Sequence, residues 1–162
     1  MSENVISFNQ QTEMFNDEKL ISDTELNTKQ LGRYAEFLVC AELSKLGYYV
    51  WHCDAPGFDI ILVVDEQSLR VQVRATNFVE NGYCVWNCRK SEGNRDKNNF
   101  CRSRPMDRRD TDLIALHHLV FGTTIFVSVD EISQGGSLRL PVSQIRAHDM
   151  SKSLERVFGR SG

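Results

Sequence analysis

"GFDIILVVDEQSLRVQVRAT", residues 57 to 76, reads as two apolar strands joined by a polar turn, yet it carries an acid in the first strand and an Arg-x-Gln-x-Arg row in the second. If Asp65 to Ser68 form the turn, Val64 faces Leu69 and Asp59 lies opposite Arg74. Directly opposed side chains point to one side of a sheet. Asp59, Gln72 and Arg74 then share a face, while Val71, Val73 and Ala75 point to the other. Taken alone, Asp59 and Arg74 are equally well explained as a structural cross-strand ion pair.

Working outward, "TKQLGRYAEFLVCAELSKLGYYV" begins with a helix capped by Thr28. Its apolar residues Leu31, Tyr34, Ala35, Leu38, Val39 and Leu46 recur at helical spacing, and Gly47 supplies the stop. Glu36 sits inside that helix among Ala35, Phe37, Val39 and Cys40, an apolar setting for a carboxylate. A helix packed on a sheet can aim Glu36 over the sheet edge toward Asp59; the plainer role is a pair with Arg33. "YYVWHC" and "GYCVWNC" read as further strands, as does "TTIFVSV". "TDLIALHHL" fits either a helix or a strand, and the tail from Val142 fits a closing helix. Trp51 and Trp86 read as core aromatics.

Two carboxylates, an amide oxygen and a backbone carbonyl form a donor set suited to a hard cation such as Mg²⁺, with Mn²⁺ as a substitute. With Arg74 beside them, such a set suits phosphodiester cleavage: the metal lowers the pKa of an attacking water, and a cation stabilises charge building on phosphorus.

The chain as a whole has 162 residues and a formal net charge of -3, so it is one domain's worth of sequence with no global field for nucleic acid. Charge is instead segregated. Between Arg70 and Asp110 stand ten basic and five acidic residues, and within that span Arg89, Lys90, Arg95, Lys97, Arg102, Arg104, Arg108 and Arg109 lie in a stretch that reads as a long basic surface loop. They are candidate contacts to DNA phosphates. Residues 1–27 form an acidic, weakly periodic arm with a short helix expected near Glu13 to Ile21, leaving 28–162 as the folded domain.

No apolar run is long enough for a membrane span and no signal peptide pattern is present, which leads to an expected cytoplasmic location without membrane contact. Five cysteines, an odd number, are expected as reduced thiols. Cys84 and Cys88 with His117 and His118 have the atoms for zinc, but their spacing fits no common finger. The four histidines are too scattered to suggest a triad, and no nucleophile-elbow or phosphate-loop motif occurs.

The ordered set of a Glu-bearing helix, a strand, "APGFDIILV" and "RVQVRAT" resembles the PD-(D/E)XK, or restriction-endonuclease-like, nuclease superfamily. Its spacing, 23 residues from Glu36 to Asp59 and 13 from Asp59 to Gln72, is similar to that of Holliday junction resolvases. "TDLIALHHLVFGTTIFVSVDEI" is similar to the ending of bacterial and intron-encoded relatives in that superfamily, intron-encoded homing endonucleases among them. The resemblance spans about Gln30 to Ile132. It implies an α/β fold with a mixed central β-sheet flanked by helices, and a Mg²⁺-dependent DNA endonuclease acting as a homodimer or higher homo-oligomer. It further implies Asp59 and Gln72 as metal ligands, Glu36 as a third ligand or its support, and Arg74 as the transition-state cation. Arg74 stands where the family usually has Lys, and Gln72 where Glu is commoner. That departure keeps open an alternative, a weak or inactive relative that serves as a DNA-binding or protein-interaction module.

Overall fold

The computed structural model describes residues 26–92 and 102–159. Residues 1–25 of the expected arm, including the expected helix near Glu13, lie outside the described residues, as do Arg95 and Lys97.

Helix α1, Thr28–Lys45, is capped by Asn27 and not by Thr28. The Asn27 side chain accepts from the Gln30 N–H at 3.0 Å and the Gln30 side chain accepts from the Asn27 N–H at 2.9 Å, a reciprocal box that satisfies two end donors. Ala35, Val39 and Leu43, four residues apart, are its buried stripe. Gly47 ends the helix with a φ of +89°, a conformation that favours glycine.

Strands β1, Tyr49–Ala55, β2, Phe58–Val64, and β3, Gln67–Thr76, follow as an antiparallel meander. Two short strands come next, β4, Val79–Glu80, and β5, Tyr83–Asn87. The stretch expected as an irregular basic loop is a two-stranded antiparallel ribbon over its described residues, β6, Arg89–Glu92, with β7, Arg102–Pro105. Strand β8, Leu113–His118, runs parallel to β3, and β9, Thr123–Ser128, returns antiparallel. Strand β10, Ser137–Pro141, follows, and the tail from Val142 is two helices, α2, Val142–Arg146, and α3, Met150–Phe158, where one was expected.

The central sheet is mixed, in the order β1-β2-β3-β8-β9, and a smaller sheet has the order β10-β5-β4. Helices α1 and α3 cover one face of the large sheet, where Ile60, Leu62, Val71, Val73, Phe126 and Leu154 are buried. The small sheet and α2 cover the other, around Trp86, Ile114, Leu116 and Ile145. Each fully buried large aliphatic contributes about 1.5–3 kcal/mol. Strand β8 is buried along its whole length because both faces are covered, which resolves the ambiguity of "TDLIALHHL" in favour of a strand. Cys84 and Cys88 are buried in the second core, as is Trp86, whose Nε1–H donates to the His117 carbonyl at 3.0 Å. Burial pushes His117 and His118 down to about 4, so both imidazoles are neutral near pH 7. Trp51 departs from its expected core position and is 56 % exposed. No helix among the described residues is long and apolar enough to cross a membrane.

Candidate functional site

The hairpin that carries the site turns in two residues, not four. Asp65 and Glu66 both have positive φ, +48° and +65°, as a tight hairpin turn requires, and Val64 pairs with Gln67. The register is therefore displaced by two residues from the expected one, and Asp59 falls level with Gln72 rather than with Arg74. A shift of two preserves the face, because side chains alternate with period two. Asp59, Gln72 and Arg74 remain on one side of the sheet.

Past Ile60↔Val71 the β2–β3 ladder ends, while β3 continues beside β8 as far as Thr76↔His118. The edge of β3 that faced β2 is thus open beyond Val71, and Asp59 enters the opening. Its Oδ2 accepts from the Val73 N–H at 2.8 Å and from the Gln72 amide. The Gln72 Nε2 also donates to the Val73 carbonyl at 3.3 Å. Gly57 sets the approach to this strand with a φ of +104°, and a Cβ there would lie 3.2 Å from the Asp110 carbonyl. Burial pushes the Asp59 carboxyl up to about 6, reinforced by the charge of Glu36 and opposed by the Val73 N–H, Arg74 and His52.

Arg74 points toward the second core. Its Nη2 donates to the Arg89 carbonyl at 3.0 Å and lies 3.7 Å from Met106 Sδ, while its buried Nε has no partner among the described residues. Burial lowers its pKa. The cross-strand ion pair with Asp59 is not formed among the described residues; the two groups sense each other only through space.

Glu36 forms the plainer pair, with Arg33, and also reaches His52 on the edge strand β1. Its Oε2 accepts from Arg33 Nη1 at 3.1 Å and lies 2.7 Å from His52 Nε2, and Arg33 also pairs with Asp54 at 2.7 Å. His52 was not expected at the site. Its signal was positional: it shares parity with Val50, so both point to the α1 face.

Among the described residues no group of three His, Cys, Asp or Glu side chains is gathered to hold a metal ion. The oxygens at the strand opening come from other sources. Asp59 Oδ2 and the Val73 carbonyl both turn toward the Gln72 amide nitrogen. Rotating that amide by 180° replaces its NH2 with Oε1, and the same spot is then flanked by a carboxylate, an amide and a carbonyl oxygen. Three such oxygens repel one another unless a cation lies between them, and they are the donor types that Mg²⁺ takes. The residues present fit the group.

Much of the expected basic surface is committed to acids. Asp110, only 3 % exposed, receives Lys90 Nζ at 2.8 Å and Arg104 Nη1 and Nη2 at 2.6 and 2.9 Å. These contacts, Arg104 foremost, hold its carboxyl well below the usual carboxylate range. Arg108 pairs with Asp130 and Arg109 with Asp107. Arg89 binds Ser103 and the Gly135 carbonyl, and Arg102 is exposed on the ribbon. Asp110 escaped the sequence reading because a buried acid inside a run of arginines looks like surface charge balance. Arg104→Ala should lower stability by about 3 kcal/mol, since it leaves a buried carboxylate short of its main partner. The loss should be full above about pH 4 and fade as acid protonates Asp110; urea unfolding at several pH values measures it.

No family model matches the sequence, and no curated protein matches it. Among solved structures, a bacterial homing endonuclease, I-Ssp6803I, is similar, with a TM-score of 0.63 and 22% identity over 83% of this chain and 88% of that chain. The shared mixed sheet and flanking helices give this chain the restriction-endonuclease-like fold.

Proposed function

We propose that the protein is a metal-dependent DNA endonuclease that hydrolyses phosphodiester bonds at the opening between β2 and β3. One observation carries the proposal: Asp59 and Arg74 share a face of the sheet and do not neutralise each other. The carboxylate is held by amide donors and the guanidinium by a carbonyl, and the buried Arg74 Nε has no partner among the described residues. A buried cation without a carboxylate is costly unless an anion completes it, and a phosphate is an anion of the right geometry for a guanidinium.

Asp59, the Gln72 amide oxygen and the Val73 carbonyl are the groups that would hold Mg²⁺ or Mn²⁺. Such an ion supplies a water of lowered pKa and neutralises phosphate charge when bound. Asp59 orients the strand opening by holding the Val73 N–H, and Gln72 spans the two oxygens. Glu36 supports the site from the helix side by ordering Arg33 and His52. Arg74 stabilises charge on the phosphoryl oxygens. The β6–β7 ribbon, carrying Arg89, Lys90, Arg102 and Arg104, lies beside Gly57 and Arg74 and is suited to guide the DNA backbone, with Arg108 and Arg109 further along. One site cuts one strand, so cleavage of a duplex calls for two chains.

A second reading, a DNA-binding module without catalysis, is favoured by one feature. Arg74 cannot release a proton at usable pH, unlike a lysine in its place. Supercoiled plasmid and branched DNA incubated with Mg²⁺, Mn²⁺ or EDTA distinguish the two. The expected result is nicked or cut product with either cation and none in EDTA. Undiminished cutting in EDTA overturns the metal mechanism, and binding without cutting with either cation selects the second reading.

A further inference from the structure

The two edges of the central sheet are finished in opposite ways. At β9, the Phe126 N–H donates to Ser153 Oγ at 3.1 Å and the Phe126 carbonyl accepts from Arg156 Nη2 at 3.0 Å, so α3 caps the edge. At β1, no strand pairs with the outer edge and no side chain caps its backbone among the described residues. A monomer usually protects such an edge with lysine, proline or a covering element. The regular part of β1, Tyr49 to His52, has neither Lys nor Pro. It displays Tyr49 at 74 % and Trp51 at 56 % exposure, with Phe37 of α1 also 55 % exposed and stacked on His52.

We propose that β1 is the homodimer interface, pairing antiparallel with β1 of a second copy about a two-fold axis through Val50. Opposed residues must share a face, so the paired positions share parity. An axis at Val50 sets Tyr49 against Trp51 of the second copy, twice, and Val50 against Val50. An axis at Trp51 would draw in Cys53, where the β1–β2 register is already irregular. Cross-strand aromatic pairs are among the stabilising ones. Charge agrees with this choice of occupant: no Asp, Glu, Lys or Arg stands within Tyr49 to His52, and antiparallel pairing carries the exposed Asp54, which already holds Arg33 of its own chain, toward the exposed Lys45 that precedes β1 in the other copy. The result is a continuous ten-stranded sheet whose two Asp59 residues lie on the same face, with three strand spacings, about 14 Å, between the β2 strands. That last consequence rests on the nuclease reading; the interface itself does not.

Sedimentation velocity at micromolar concentration, with circular dichroism to verify folding, tests the interface. The natural sequence should sediment as a dimer. Tyr49→Glu with Trp51→Glu sets like charges opposite each other and should give a folded monomer, whereas Tyr49→Glu with Trp51→Lys sets opposite charges together and should keep the dimer. A monomeric natural protein, a dimer that survives the double Glu substitution, or a monomeric Glu/Lys variant overturns the proposal. A monomeric natural protein whose DNA affinity falls in the double Glu variant overturns it too, and reassigns the aromatics to nucleic acid. A dimer that dissociates as expected but cuts no DNA leaves the interface standing and removes the nuclease reading.

Discussion

Asp59→Asn is expected to cut DNA at least about a thousandfold more slowly than the natural protein, on the order of 4 kcal/mol of transition-state stabilisation. Folding should survive, because the asparagine oxygen still accepts from the Val73 N–H. DNA affinity should hold or rise, since a negative charge near the phosphate is removed. Stability offers a second readout with its own pH dependence. Asp59 titrates near about 6 in the folded chain, chiefly because it is buried, against about 3.9 in an unfolded one. The folded state therefore binds the proton more tightly. The stabilisation from protonation is complete below about pH 4 and lost as the pH rises through about 6. The variant should thus be more stable than the natural protein at pH 8, by about 1–2 kcal/mol after allowance for solvent screening, and level with it at pH 4. Thermal unfolding at both pH values checks the expectation. A variant that cuts like the parent moves the site elsewhere.

Arg74→Ala should cost about a hundredfold or more in rate, because a preorganised cation at the phosphate is typically worth a few kcal/mol in the transition state. Arg74→Lys should stay within roughly tenfold of the natural rate, since a compact ammonium supplies the same charge on a flexible stem. The alanine variant need not unfold: among the described residues Arg74 makes no side-chain ion pair, and what it loses there is the bond to the Arg89 carbonyl and the contact with Met106. Single-turnover cleavage measures both rates. If Arg74→Ala cuts as fast as the parent, Arg74 is a packing residue of the second core. If the natural protein is inert and Arg74→Lys cuts, the chain is a disabled nuclease.

The face shared by Asp59, Gln72 and Arg74 was legible because strand alternation depends only on parity, which an error of two residues leaves intact. The partner of Asp59 was not, because register depends on turn length. Asp65-Glu66 adopts a two-residue turn without the glycine that marks it most clearly. The ribbon of β6 and β7 was hidden for a related reason. "RKSE" and "RSRP" have no apolar alternation, and they pair through backbone bonds and through anchors such as Arg104 on Asp110. Strand β8 lost its periodicity because both faces are buried, which makes a strand and a helix segment look alike. Trp51 was misread because aromatic content usually signals burial; its exposure is a property of the sheet edge, and edge position follows from strand order rather than from local sequence. Glu36 was found by its apolar neighbours, but His52 became visible only once β1 lay beside α1.

Calorimetric titration of the DNA-free protein with Mn²⁺ tests the strand-opening site most directly, because it reads the site without requiring a substrate. One ion per chain should bind to the natural protein, with binding lost in Asp59→Asn and weakened in Gln72→Ala, while Glu80→Gln, on β4 and paired with Arg139, binds like the parent. Absence of binding to the natural protein, or undiminished binding to Asp59→Asn, would contradict the assignment of the β2–β3 opening as a metal-dependent phosphodiester site.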